Sequence, residues 1–470
     1  MDWNDFGPWG KRAADWAQDY HQNLRDRPVR PPLEPGKVLN AVPSEPPEEA
    51  ETVEAIFKDF EDIIVPSMTH WQHPRFFAYF PANAAPISVF AEYLVSSMAA
   101  QCMLWQTSPA ATELETRVLD WLRQGLGLPE GFSGVIQDSA SSATLAAVLT
   151  MRERALNWQG NKEGLSGMGR LRVYAAAEVH TSIDRAMWVA GLGDENLVRI
   201  PVQGDLRGID VEGLAQAIEL DRSEGLIPAG FIGSVGATSA GSTDDLDAAL
   251  EVARDAGLFT HIDAAWAGSA MICPEYRALW KGVEKADSIV FNPHKWLGAQ
   301  FDCSAHFVAD PESLVKTLAI QPEYLKTNGA DGIINYSEWS VPLGRRFRAL
   351  KLWFLLRGHG LEGLRTMIRN HVTWAENVCE ALRAMPDVEI VTEPFLSLFT
   401  FRFAPEGVED LDALNLRLIE AINNDGRIYL TQTKIDGKFV IRFMTGTWTM
   451  KERDAQTAIE VMAEMMGGLG

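Results

Sequence analysis

The sequence predicts an α/β protein: a large doubly wound, mostly parallel sheet domain, preceded by an N-terminal helical arm and followed by a small C-terminal α+β domain. Three observations predict it. Short apolar runs at 173–176, 197–202, 229–235, 258–262 and 288–291 mostly alternate with helical patterns, as in sheets whose strands are covered on both faces. His180, the turn Gly236-Ala237-Thr238, Asp263 and Lys295 each fall just past the end of such a run, at the edge where doubly wound sheets bind ligands. At 470 residues the chain also exceeds the size at which one core stops growing. The division expected is an arm over 1–85, a large domain over 86–365 and a small domain over 366–470.

Taken in order, the arm holds helical patterns at 9–24 and 48–64 around the proline-rich piece 27–35. With little core of its own, it is expected to pack on a partner subunit. The stretch His70 to Pro81 is too aromatic for an exposed loop and too broken by proline for one regular element, so it packs in a core or lines a pocket for a flat apolar group. An amphipathic helix follows at 113–126 and a strand at 134–137. Then Asp138-Ser139-Ala140-Ser141-Ser142-Ala143-Thr144 opens a helix that runs through 155. Small hydroxyl residues at a helix N-terminus can be caps, but together with free backbone N–H groups they also suit a phosphate. The clearest βαβ unit is strand 230–235, helix 244–256 with Leu246, Leu250 and Ala253 on one face, and strand 258–262. Beyond Trp353 a helix ends near Gly358-His359-Gly360. A helix at 367–385, strands at 388–391, 396–403 and 439–443, and a last helix at 454–466 make the small domain.

The chemistry centres on Asn292-Pro293-His294-Lys295-Trp296-Leu297-Gly298. Most lysines past a strand end are solvated charges. Desolvation among proline, tryptophan and leucine, however, favours the neutral, nucleophilic amine that a Schiff base with a carbonyl compound requires. Asp263 ends an apolar strand, and a carboxylate in such surroundings must be paired or hydrogen-bonded, for which a pyridinium nitrogen would serve. Small Ala265 would let a flat ring lie close to the backbone while His180 covers its other face. Singly, each residue has a plain structural explanation; their joint placement argues for a site.

Composition excludes other classes. Lys plus Arg number 42 against 64 Asp plus Glu, a net charge of −22, which disfavours nucleic acid and anionic membranes as partners. The four cysteines lack CxxC spacing, so no metal site and no disulfide framework is expected. Neither HExxH nor GxGxxG occurs, which disfavours a nicotinamide enzyme. The N-terminus has no basic or apolar leader, and the most apolar run, 88–100, is short and contains Glu92, so a cytoplasmic protein is expected.

At Asn292-Pro293-His294-Lys295-Trp296 and His261-Ile262-Asp263-Ala264-Ala265 the sequence resembles the pyridoxal-phosphate-dependent aromatic L-amino acid decarboxylases, group II decarboxylases of fold type I, the aspartate-aminotransferase fold. Further blocks match in order: His70-Trp71, Phe76 to Pro81, Ser108-Pro109, Thr112 to Glu115, Gly134 to Gln137, Tyr324-Leu325-Lys326 and Pro342 to Arg348. The resemblance implies pyridoxal 5′-phosphate as cofactor, with Lys295 bonded to it, Asp263 at the pyridine nitrogen and His180 stacked on the ring. Ser139, Ala140, Ser141, Asn292 and His294 would hold the phosphate or its surroundings, with Thr238 as the hydroxyl of the turn after strand 229–235. Trp71, Tyr79, Phe80 and Phe301 look like an aromatic-substrate pocket, joined by Pro81 and Ala82. Tyr324 sits where the family carries a loop tyrosine that protonates the substrate carbon.

Two departures bear on the substrate. Ala82 replaces a threonine of animal homologues that act on catechols, and Gln101 and Met103 replace apolar and aromatic residues near the partner-facing rim. Gly344, where related plant enzymes vary with preference for indole or phenol rings, leaves room for indole. Decarboxylation of tryptophan is therefore expected ahead of phenylalanine, tyrosine or dihydroxyphenylalanine. The alternative is an oxidative aldehyde synthase, in which the loop tyrosine is typically replaced. Glutamate is disfavoured by the aromatic pocket, and a non-catalytic dimeric scaffold by the survival of lysine, aspartate, histidine and tyrosine. The resemblance implies a homodimer, with the arm and residues 100–105 as its contacts.

Overall fold

In a computed structural model the structure describes residues 1–32, 34–320 and 333–469. The chain divides into two compact units. The first comprises Ala82–Thr373 and Pro394–Phe399; the second comprises Met1–Pro81, Trp374–Glu393 and Thr400–Gly470, so the first 81 residues are grouped with C-terminal segments.

The first unit is built on a seven-stranded sheet of β1 (Ser133–Gln137), β2 (Leu171–Ala176), β3 (Leu197–Ile200), β6 (Ile227–Ser234), β7 (Phe259–Asp263), β8 (Ser288–Phe291) and β9 (Ser304–Val308). A separate two-stranded ribbon of β4 (Val202–Gln203) and β5 (Gly208–Ile209) lies between β3 and β6 in sequence. The sheet order is β1-β9-β8-β7-β6-β2-β3. Pairing is parallel from β3 through β8, and β9 runs antiparallel to both β8 and β1. The doubly wound, mostly parallel expectation is therefore met, with one reversed strand that the sequence reading did not include.

Why the strands read as apolar runs follows from their cover. Every residue of β7, β8 and β9 is buried. At Gly230 a Cβ would press on Met151 of the helix Ala140–Ala155, and at Gly233 on Leu246 of the helix Leu246–Asp255. Positions 230 and 233 point to opposite faces of a pleated strand, so the two helices sandwich β6. Strand β1 is a sheet edge, and its outward polar groups are capped: the Ile136 N–H donates to Glu115 Oε1 at 2.9 Å, and Arg345 Nη2 donates to the Ile136 carbonyl at 2.7 Å. Glu115 and Arg345 close a buried ion pair at 2.6 Å.

The helical stretch Arg348–Arg383 is interrupted at Gly360, whose φ of 63° and ψ of 168° are not helical, where the glycine pair predicted a break. The second sheet has the order β10-β11-β13-β12, formed by β10 (Val388–Phe395), β11 (Leu398–Phe403), β12 (Thr431–Ile435) and β13 (Lys438–Met444). The helix Leu411–Asp425 and strand β12 also go beyond the predicted elements. No helix among the described residues is long and apolar enough to cross a membrane.

Candidate active site

Because β1, β2, β6, β7 and β8 run the same way, their carboxyl ends share one edge of the sheet. There the strands stop and the chemistry-bearing residues begin. Strand β8 ends at Phe291; Asn292, held at 2.8 Å by its N–H to the Ala265 carbonyl, turns the chain into a tight helical turn, Pro293–Leu297. Proline at its start supplies a pre-set φ where no N–H is needed. Lys295 sits in this turn, half-buried between the buried His294 and Trp296. Its N–H donates to the Asn292 carbonyl and its own carbonyl accepts from Asn83 Nδ2 at 2.8 Å.

Asp263 is buried at the end of β7, and its Oδ1 accepts the Ala265 N–H at 3.0 Å. His180 follows β2. Its Nδ1 accepts the Ser182 N–H at 3.1 Å, which places the proton of the neutral ring on Nε2. Desolvation lowers the His180 pKa; the carboxylate of Asp263 opposes this and the ammonium of Lys295 adds to it. Asp263 and Lys295, distant from His180 in the chain, thus both act electrostatically on its ring. His294 is pushed down to about 3 by burial and then by Lys295, and its Nδ1 accepts the Cys303 N–H at 2.9 Å, so it too is neutral near pH 7.

Two features at this edge are of a kind that can hold an anion. Ser139 caps the helix Ala140–Ala155, its hydroxyl accepting the Ser142 N–H at 3.2 Å. The amides of Ala140 and Ser141 open that helix where no intrahelical acceptor exists. Ala140 and Ala143 pack on Val290 with Ala265 against them, which sets the helix start beside the β7 and β8 ends. The second feature is the turn after β6. Gly236 has φ 77°, and a Cβ there would stand 2.6 Å from the Ala267 Cβ, so the turn requires glycine. Thr238 lies half-buried on it. An amine, a buried carboxylate, a neutral imidazole and a capped helix start on one edge fit pyridoxal phosphate, whose aldehyde, ring nitrogen and phosphate need those partners.

Of the residues that the sequence resemblance suggests for a substrate pocket, Trp71, Tyr79, Phe80 and Pro81 belong to the second unit. Trp71 and Tyr79 are stacked at 5.7 Å, Tyr79 meets Tyr429 at 6.4 Å, and Arg442 stands over the Phe80 ring. Ala82, Gln101, Met103, Phe301 and Gly344 belong to the first. Phe301 lies 4.7 Å from the His294 ring. Gln101 Oε1 accepts the Arg345 N–H at 2.8 Å, and a Cβ at Gly344 would meet Gln101 Nε2 at 3.2 Å. Tyr324 lies outside the described residues.

Sequence reasoning missed Asn83, Ser304 and Tyr429. Ser304 Oγ donates to Asn292 Oδ1 at 2.6 Å, and the Asn83 N–H donates to the His294 carbonyl at 2.9 Å. A lone amide among the small residues Pro81 to Ala85 was the one signal for Asn83.

Comparison with known proteins bears on this geometry. The model of the pyridoxal-dependent decarboxylase conserved domain matches residues 35–404. The aromatic-L-amino-acid decarboxylase of Mus musculus is 39% identical, covering 99% of this chain and 98% of its own length. The phenylacetaldehyde synthase of Arabidopsis thaliana is 36% identical over 99% and 96%. The crystal structure of Oryza sativa TDC with PLP and tryptamine superposes with a TM-score of 0.96 at 33% identity, over 100% of this chain and 99% of that one. The chain therefore belongs to the pyridoxal-dependent decarboxylases, in the branch that contains the aromatic-L-amino-acid decarboxylases.

Proposed function

We propose that this protein decarboxylates an aromatic L-amino acid to the arylalkylamine, with tryptophan preferred over phenylalanine, tyrosine or dihydroxyphenylalanine. The observation that carries it is the placement of His180, Asp263 and Lys295 together at the carboxyl ends of β2, β7 and β8, which run parallel in one sheet. Pyridoxal phosphate, when bound, supplies an electron-withdrawing ring that takes up the electron pair left when carbon dioxide departs. Lys295 would hold the cofactor through its amine. Asp263 keeps a proton on the ring nitrogen. Neutral His180 lends a flat face, and Ser139, Ala140, Ser141, Thr238, Asn292 and His294 hold the phosphate or its surroundings. Tyr324 returns the proton to Cα. Phe301, Trp71, Tyr79 and Phe80 receive the aromatic side chain. The absence of a side chain at Gly344, next to the Gln101 amide, supports a wide indole over a phenol.

The test is Lys295→Ala, which is expected to lose the visible absorbance of the bound cofactor and turnover together; retained turnover refutes the assignment. The 36% identity to phenylacetaldehyde synthase supports a second reading, in which dioxygen is reduced to peroxide and the aldehyde, ammonia and carbon dioxide are released. Peroxide formed in proportion to carbon dioxide would establish it. We further read the protein as a cytoplasmic homodimer. Exposed Val89, Phe90, Tyr93 and Met98 on the helix Pro86–Met98 support a subunit contact, and the mass by light scattering tests it.

A further inference from the structure

The loops that carry His180 and Thr238 are joined by a side chain that neither carries chemistry nor follows from the family motifs. Glu178 leaves β2 two residues before His180. Its carboxylate receives Arg207 Nε at 3.0 Å on each oxygen, with Arg207 Nη2 as a further donor. It also accepts the Ser242 hydroxyl at 2.7 Å. Ser242 is itself buried, and its carbonyl accepts the N–H groups of Gly236 and Ala237 at 3.1 and 2.9 Å. The turn is closed at its neck by Asp244, whose carboxylate accepts the Ser234 and Ile209 N–H groups, both at 2.7 Å. Thr243 N–H donates to the Leu206 carbonyl at 2.9 Å, beside Arg207. One carboxylate thus bridges the β2 exit, the β4–β5 ribbon turn and the turn after β6.

We propose that Glu178, clamped by Arg207 and bonded to Ser242, is a positioning residue that fixes the spacing between His180 and the 236–242 turn and so sets how tightly pyridoxal phosphate is held. This rests on the placement of the cofactor proposed above. Glu178 does not touch the reacting atoms; it acts through the two loops that do. A charge-assisted hydrogen bond of this kind is worth about tenfold in an equilibrium constant.

The experiment measures the dissociation constant of pyridoxal 5′-phosphate by its visible absorbance, and thermal midpoints of apo and holo forms, in Glu178→Ala, Glu178→Gln and Ser242→Ala. Glu178→Ala is expected to raise the dissociation constant about tenfold or more and to narrow the gap between holo and apo midpoints. Glu178→Gln, which still accepts from Ser242 but loses the ion pair, is expected to lie between parent and alanine variant. Should Glu178→Ala fail to fold, Ser242→Ala decides, with a rise in the same direction. A lowered apo midpoint with cofactor affinity within about twofold of the parent would mean a purely structural role and overturn the proposal. Lys295→Ala serves as the control: if it keeps the visible absorbance, the cofactor placement fails, and Glu178 is not what has been refuted.

Discussion

Removing Glu115 tests how the edge of the large sheet is protected. Glu115 and Arg345 have side chains only 3% exposed and share a 2.6 Å contact, and between them they satisfy both outward polar groups of Ile136 on edge strand β1. Glu115→Ala leaves a buried guanidinium without its partner, at a cost of about 3–5 kcal/mol. It also orphans the Ile136 N–H, worth roughly a further 1–3 kcal/mol where the site cannot relax. With about 2–4 °C per kcal/mol for domains of 150–250 residues, the thermal midpoint should fall by on the order of 10 °C. The assay is calorimetry at a fixed scan rate, beside Arg345→Leu and the double variant Glu115→Ala/Arg345→Leu. Because the double variant removes both charges, it should be less destabilised than the sum of its single variants. A midpoint within about 2 °C of the parent for Glu115→Ala, or strict additivity, refutes the reasoning. The same block holds Gln101 through the Arg345 N–H, so a rise in KM should accompany the loss of stability in Glu115→Ala.

Other outcomes follow from the site and the core. If Asp263 faces the ring nitrogen as proposed, Asp263→Asn should lower kcat by at least about a hundredfold with the cofactor still bound, since it removes a buried charge there; steady-state rates at saturating cofactor check this. Gly344→Ser should push on Gln101 and lower the preference for tryptophan over tyrosine about tenfold in kcat/KM, within the range that one side-chain contact commands, as competition assays would read. Buried His73 and His294, each pushed down to about 3, and His306, pushed down to about 4, bind protons more weakly in the folded than in the unfolded chain, and His261 shifts the same way. Their contribution is therefore present above the unfolded value near 6.5 and is lost as the pH falls toward 4, at up to about 1.4 kcal/mol per pH unit for each group. His306→Leu should flatten that slope by one proton's worth, because neither ring nitrogen of His306 has a hydrogen-bond partner to lose; thermal midpoints between pH 4 and 7 measure it.

The parallel strands of the large sheet could be read from the sequence because burial on both faces makes them uniform apolar runs between helices with clear amphipathic faces. Lys295, Asp263 and His180 were legible for a related reason: a polar residue directly after such a run has few places to be except the carboxyl edge. Strand β9 escaped because its Ser304-Ala305-His306 start looks polar, although the structure buries all three. The helix Leu411–Asp425 escaped because Asn415, a poor helix former, holds the Phe403 backbone through its side chain, a partner that local pattern cannot reveal. Glu178, Arg207 and Ser242 were invisible for want of any motif: they lie on three separate loops, and three-dimensional closure alone brings them together.

The reversal of β9 has a mechanical consequence for the lysine. In an all-parallel sheet the chain leaving β8 would depart on a crossover helix, but here it returns at once, with Phe291 registered against Ala305 and Ser304 Oγ bonded to Asn292. Residues 292–304 form a short closed excursion whose two feet stand on adjacent strands and whose far side is tied down by the Asn83 and Ala85 backbone. Little conformational freedom is left in so short a tethered loop. In the proposed reaction Lys295 would therefore be a flexible tip on a stiff post, any exchange of a ligand falling to rotations about its own four side-chain bonds above a tethered backbone.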